Sequence, residues 1–529
     1  MGATNMKNTI SKTQLFLAPV AALLLTATAQ AAAPGITGPT FNLTAQSAYL
    51  TQPDGQAVYS WGYGCNGTPS GFAPSAVAGA TCNSMQVPGP TLIVTEGQSV
   101  TVTLTNGLPT SAGNTSILFP GFNVTATGGV AGLLTTEAAP GGTVTYTFTA
   151  SSPGTRAYYS GTQGDLQVEM GLYGAVIVLP AHIATAAPNC TSGLASANLT
   201  AEATWGESDF RLAAAAYDHP KTCYDREYLF QFSEMDPNIH TQTLAQVTAK
   251  GNCTAGAPGC SLNVPTEPYH PAYFMINGRS MPDDMDPNYA SQYPHQPYNG
   301  DPHMHPGEQV LLRIIGQGRW QHPFHEHGNH VRILARDGNL IVSATDPNSL
   351  AGPLLFTTTT TPGLAMDGIF YWTGRGLNWD AYGHHPGSSD SFATLPCTPD
   401  ANGYNTGSPT AINFWEWCQD HNKPVQAAPF GDVAGGGPVT LPDPNLFTNG
   451  AWYSGSPYLG PDATVRATGP TGTTPPSGTI ANSPSGEAGF AFMWHSHNER
   501  EITTNNIFPG GMLMMMLVDS REFVIDETN

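Results

Sequence analysis

Two short segments hold the residue types most able to do chemistry. "HPFHEHGNH" places His322, His325, His327 and His330 within nine residues, and "FMWHSHNEREI" adds His495 and His497. Side chains alternate between the faces of an extended chain, so His325 and His327 share one side of their segment, as His495 and His497 do of theirs. Laid side by side, the two segments would direct four imidazoles at one volume, a donor set suited to copper, zinc, iron or nickel. One His-x-His alone says little. Two, each next to an apolar strand, predict a metal site on His325, His327, His495 and His497. Weaker ligand candidates surround it: His322, Glu501 and Met512 as a second position, and His330 or a carboxylate as completing residues. Glu326 either faces away or adds a carboxylate, and Glu499 or Glu501 could carry protons.

Other chemistries find little support. "HEHGN" misses the zinc-protease pattern because Asn329 stands where the second histidine belongs. Phosphate loops, dinucleotide fingerprints and nucleophile elbows do not occur. His303 and His305 of "DPHMHPGE" precede a strand and read as solvated loop residues. The acids of "MPDDMD" (Asp283, Asp284 and Asp286) read as an exposed turn rather than a calcium loop.

The elements that must position these residues are strands. With 59 glycines, 46 prolines and only 10% charged residues, the chain also shows short alternating segments, the pattern of an all-β sandwich. In "SVTVTLTNG", Val100, Val102 and Leu104 fall on one face and three threonines on the other. An internal repeat follows: "EGQSVTVTLTNG" from Glu96 is echoed by "PGEQVLLRIIGQG" from Pro306, and "PGGTVTYTFTA" loosely by "PGLAMDGIFYW". Two sandwich domains are predicted, at 35–182 and 222–525, joined by a linker over 183–221. The second carries an irregular insertion over about 374–486, with the aromatic run "FWEWC" as its anchor.

Residues 1–31 read as a secretory signal: Lys7 and Lys12 precede an apolar run ending at "AQA". Its removal takes two lysines and no acids, moving the formal charge from −21 to −23. That surface disfavours nucleic acid and anionic membranes, and no later apolar run is long enough to span a bilayer. A periplasmic or secreted location is expected. Eight cysteines in an exported chain suggest disulfides, and spacing favours Cys65–Cys82, Cys190–Cys223, Cys253–Cys260 and Cys397–Cys418.

At the histidine segments the chain resembles the multicopper oxidases, which are built from Greek-key cupredoxin sandwiches and pair a mononuclear blue copper with a trinuclear cluster. In that family "HPxHLHG" supplies one ligand to the blue copper and two to the cluster. "HCHxxxHxxxxM" supplies cluster histidines around the blue-copper cysteine, then a histidine and an axial methionine. "HPFHEHG" matches the first, implying a blue-copper role for His322 and cluster roles for His325 and His327. "HSHNERE" matches the second in part, implying cluster roles for His495 and His497. Ser496 replaces the cysteine and Glu501 takes the place of the histidine, so the copper–thiolate bond cannot form. In the first domain, Leu118, Pro120, Tyr159 and Gly161 stand where the family has histidines. Four of eight cluster histidines remain, enough for one ion.

The resemblance implies copper, with zinc as the alternative, and a homo-oligomer, a trimer in two-domain members. Three functions stay open: a copper-binding protein, an oxidoreductase acting at that copper on a metal ion or small inorganic substrate, and a non-catalytic scaffold. Laccase-type turnover is not expected.

Overall fold

The computed structural model describes residues 33–77, 79–182, 190, 193–375, 396–411, 413–418, 455–458, 489–519, 521 and 524–525. The signal segment and most of the 374–486 insertion lie outside them.

Each half of the chain builds a pair of sheets. In the first, one sheet has the order Gly154–Tyr159, Tyr173–Leu179, Leu92–Thr95, Gly35–Thr37, Phe72–Ala73. The other runs Ala57–Cys65, Thr40–Thr51, Ser99–Asn106, Thr143–Thr149, Thr125–Gly128. In the second half, one sheet contains Tyr273–Ile276, Arg226–Met235, Gln309–Gly316, Ala365–Tyr371 and Val331–Arg336. Its mate contains His303–Met304, Leu513–Asp519, Gly489–Ser496, His322–Glu326 and Thr357–Thr360. The architecture is mainly β, two pairs of packed sheets.

The sequence repeat reappears as a repeat of pairing. Ser99–Asn106 lies parallel to Thr40–Thr51 and antiparallel to Thr143–Thr149, while Gln309–Gly316 lies parallel to Arg226–Met235 and antiparallel to Ala365–Tyr371. The first copy alternates as expected, with Val100, Val102 and Leu104 buried. The second copy is buried on both faces after Gln309. Its inner side chains Val310, Leu312 and Ile314 enter the second core, whereas Ile315 packs with Ile93, Ala157, Ala175 and Ile177 of the first sandwich. The alternation is lost there because a second hydrophobic partner covers the outer face.

That junction also buries charge. Arg313 Nε donates to Glu227 Oε2 at 2.8 Å, and Asp367 accepts from the Thr155 hydroxyl at 2.6 Å and the Thr155 amide at 3.1 Å. Thr155 belongs to the first sandwich and Asp367 to the second, so the contact fixes one against the other.

All four cysteine pairs are disulfide-bonded: Cys65–Cys82, Cys190–Cys223, Cys253–Cys260 and Cys397–Cys418. The 183–221 connection is more than a tether. It carries a helix, Gly193–Trp205, and Glu207, whose carboxylate is buried against Arg226 and His305. A second helix, Pro237–Lys250, starts where Asp236 accepts from the Asn238 amide at 2.9 Å with Pro237 in the first turn. "DP" ahead of a polar run is a helix-start signal that the strand pattern had overshadowed. The "FWEWC" run does anchor its segment: Trp415 Nε1 donates to Asn198 Oδ1 at 2.9 Å. Gly307, at φ +85°, leaves room for that indole, since a Cβ there would lie 2.2 Å from Trp415 Cγ.

Arg313→Met would leave Glu227 and Asp367 buried without their cation. It is expected to lower unfolding stability by about 3–5 kcal/mol, measured by chemical denaturation.

Candidate metal centre

The histidine pairs are brought together by strand register. His322–Glu326 runs antiparallel to Gly489–Ser496, with His325 opposite His495, Phe324 opposite Ser496 and Glu326 opposite Trp494. Alternation then separates two faces. Phe324 and Trp494 enter the core, while His325 and His495 turn the other way, joined by His327 and His497 two residues on. Ring centroids lie 4.9 Å apart for His325 and His327, 4.8 Å for His325 and His497, and 5.1 Å for His327 and His495. His495 is 5.6 Å from both His325 and His497.

Hydrogen bonds orient the rings. His495 Nδ1 lies 2.7 Å from the Ser496 carbonyl, which can only accept, so the proton sits on Nδ1 and Nε2 keeps its lone pair. His325 Nδ1 meets the Thr357 hydroxyl at 2.7 Å, which orients its ring. The Nε2 atoms of His327 and His495 are 3.2 Å apart, close to the roughly 3.3 Å that two metal–nitrogen bonds of about 2.0 Å would span at a tetrahedral angle. Burial, then the positive charge His497 and His495 would carry, push the His325 pKa down to about 4. Burial likewise lowers His495, only partly offset by its bond to Ser496. His325 and His495 are therefore held neutral at pH 7, the form that binds metal.

The His327–His495 spacing is one that a shared ion could bridge, but among the described residues no three donor atoms of the quartet lie within 4.8 Å of one another, so the rings are set wider than a closed coordination shell. Among the described residues, the donors that all lie within 4.8 Å of one another are those of Glu96, His182 and Asp218, at the surface. His497 and Glu499 are exposed beside the quartet, and Phe356 rests edge-on against His325 and His330 at 5.6 and 4.9 Å. His330 faces that phenyl ring.

The second position is built differently from the sequence expectation. His322 is fully buried, and both its nitrogens face carboxylates: Nε2 to Glu234 Oε2 at 2.9 Å and Nδ1 to Glu501 Oε2 at 2.9 Å. The Ser496 hydroxyl donates to the same Glu501 oxygen, and Asn498 donates to the other at 2.9 Å. Burial alone would lower the His322 pKa, but its bonds to Glu234 and Glu501 outweigh it and hold it at about 9. The position that the resemblance assigns to a blue copper thus holds an imidazolium between two carboxylates. His322 offers no lone pair there, and Met512 packs into the core with Phe492 and Trp494. Glu501, spent on His322, is also unavailable as a proton carrier for the quartet.

Glu326 faces away from the imidazoles. It is fully buried, accepts from Thr358 at 2.6 Å, and burial pushes its carboxyl up to about 8. His303 and His305, expected in solvent, are buried: His303 Nδ1 meets Asp519 Oδ2 at 2.6 Å, and His305 meets Glu207. Their short strand pairs with Leu513–Asp519, which draws the segment inward. Sequence reading passed over Glu234, whose pairing with His322 spans 88 residues and leaves no local signature.

In the first sandwich, Leu118 and Tyr159 pair through their backbones. A Cβ at Gly161 would lie 2.8 Å from Leu118 Cγ, so a side chain at 161 and leucine at 118 exclude each other. The occupants of these two positions are therefore coupled sterically.

Residues 72–182 match a family model described as multicopper oxidase. No curated protein matches the chain. Among solved structures, the chain is similar to the multicopper oxidase mgLAC, at 15% identity over 90% of this chain and 86% of that one, with a TM-score of 0.42. It is similar to a blue copper oxidase from Nitrosomonas europaea at 15% identity over 90% and 85%, TM-score 0.42. A copper nitrite reductase from the same organism shows 18% identity over 64% and 85%, TM-score 0.36.

The His322 pairing predicts a pH dependence. Its folded pKa of about 9 exceeds the unfolded value of about 6.5, so the stabilisation is complete below about pH 6.5 and lost as pH rises through about 9. Melting temperature should fall across that window. His322→Gln should flatten the fall and lower stability at pH 7 by about 3 kcal/mol, without changing bound metal.

Proposed function

Because the first sandwich matches the multicopper oxidase family, we propose that the protein is an exported, multicopper-oxidase-like copper protein. It holds a single ion on His325, His327, His495 and His497 and lacks a blue-copper centre. The observation that carries this reading is the register of His325 opposite His495, which gathers four imidazoles with adjacent centroids 4.8–5.6 Å apart. Imidazole nitrogens favour copper, and zinc would accept the same donors; His495, with its proton held on Nδ1, presents Nε2. Copper bound there would supply one-electron redox chemistry. The chain's own contribution is to hold the rings: Thr357 and the Ser496 carbonyl fix two of them, and the strand pair sets their separation.

A second reading is an oxidoreductase working at this ion. It is favoured by the exposure of His497 and Glu499, which leaves the quartet open to a small inorganic solute and places a carboxylate beside it. Against laccase-type turnover stands Ser496: a hydroxyl bonded to Glu501 is no thiolate, and electron entry through a copper–sulfur bond is closed. The oligomer implied by the family would have to assemble without ligands from Leu118, Pro120, Tyr159 or Gly161.

Metal analysis of the protein purified without chelators should return about one copper per chain, with no intense thiolate-to-copper band in the visible spectrum. His495→Ala should abolish retention, and His327→Ala should weaken it at least tenfold. Metal-free wild-type protein that cannot be reloaded with copper or zinc would remove the proposal. Turnover of a small substrate lost in His495→Ala would select the oxidoreductase reading over simple copper binding.

A further inference from the structure

The turn Met281–Asp286, read from the sequence as exposed, buries an acid instead. Asp284 is 0% exposed, and neither of its carboxylate oxygens meets a donor from another described residue. Asp301 is 4% exposed, and its Oδ1 likewise has no donor. The two segments are tied together where the Gly300 amide donates to the Asp284 carbonyl at 2.6 Å. Burial, then repulsion from Asp301, pushes the Asp284 carboxyl far above the usual carboxylate range.

The cations nearby are directed at other groups, although Arg279 Nη2 has no hydrogen-bond partner among the described residues. His303 Nδ1 meets Asp519 Oδ2 at 2.6 Å and its Nε2 faces Asp301 Oδ2 at 3.5 Å, so one imidazolium serves two acids. Arg279 gives Nε to the Gln296 carbonyl and Nη1 to the carbonyls of Asp283, Asp286 and Pro287, with no hydrogen bond to Asp284. The carboxylates of Asp283, Asp284, Asp286, Asp301 and Asp519 act on one another through this set, against the two cations Arg279 and His303. The surplus is negative, and the donors left over are all oxygen.

We propose that Asp284 and Asp301 form a buried site for a hard divalent cation of the calcium type, built from different residues than the imidazole centre. Carboxylate oxygens select calcium or magnesium over copper, and calcium tolerates the irregular geometry of a turn better than magnesium does. The ion would bind Asp284 and Asp301 Oδ1 together and pin the Met281–Asp286 turn to the Asn299–His303 segment. Copper loading at the imidazoles is independent of it, so this site stands or falls alone.

The full mature chain, stripped with EGTA, should be titrated with calcium chloride, reading bound calcium by equilibrium dialysis and melting temperature by calorimetry. One calcium per chain and a rise in melting temperature are expected for wild type. Asp284→Asn should bind at least tenfold more weakly and lose the calcium-dependent rise. In EGTA it should melt no lower than wild type, because the amide replaces a carboxyl that burial already holds in its neutral form. Asp301→Asn provides the second variant should the first fail to fold, with the same loss of calcium response expected. A wild-type chain that neither binds calcium nor gains stability at millimolar concentration would overturn the proposal and leave Asp284 as a protonated acid. Undiminished binding in both variants would overturn it equally.

Discussion

The candidate chemistry depends on one strand pairing, that of His322–Glu326 with Gly489–Ser496. A β-ladder fixes which residues stand opposite, and a slip of one residue would turn every side chain to the other face. Here the register is held by what lies behind it. Phe324 and Trp494 interlock with Phe230, Phe232 and Phe370 in the core, and their burial commits His325 and His495 to the opposite side. The apolar face therefore determines where the imidazoles meet. The outer strand Thr357–Thr360 adds the hydroxyl that turns His325.

The same ladder explains why the neighbouring position holds no metal-ready donor set. Ser496 lies opposite Phe324 on the inward face, where the family motif has its cysteine. With a hydroxyl there and Glu501 within reach, the buried His322 is satisfied by charge instead of by metal. Glu234 and Glu501 flank it, and each carboxylate has further donors: Tyr269 and the amides of Arg319 and Trp320 for Glu234, and Ser496 and Asn498 for Glu501. A buried charge group of this kind persists because every member has partners.

The ligand losses in the first sandwich follow similar logic. Leucine at 118 fills the space next to the glycine at 161, so the two positions are packed as a pair. The family framework over residues 72–182 is recognisable because strands and turns, rather than ligands, carry most of the pattern. Two sandwiches then share a junction in which apolar side chains surround the Arg313, Glu227, Asp367 and Thr155 cluster.

Much of this was legible without coordinates. Alternation in Ser99–Asn106, the repeat at Gln309–Gly316, cysteine spacing and the two His-x-His segments are local patterns, and a local pattern specifies strands, short disulfide loops and which histidines share a face. What the sequence could not specify was the partner of each buried polar group. His303 and His305 look solvated in a polar segment, yet pairing with Leu513–Asp519 buries them against Asp519 and Glu207. Glu326, open in the sequence as an outward-facing acid or a ligand, and Asp284, which reads as an exposed turn acid, are both enclosed. Glu234 reaches His322 across 88 residues. Hydrophobic periodicity is written along the chain, whereas the pairing of charges inside the protein depends on which distant segments meet, and only the tertiary structure decided that.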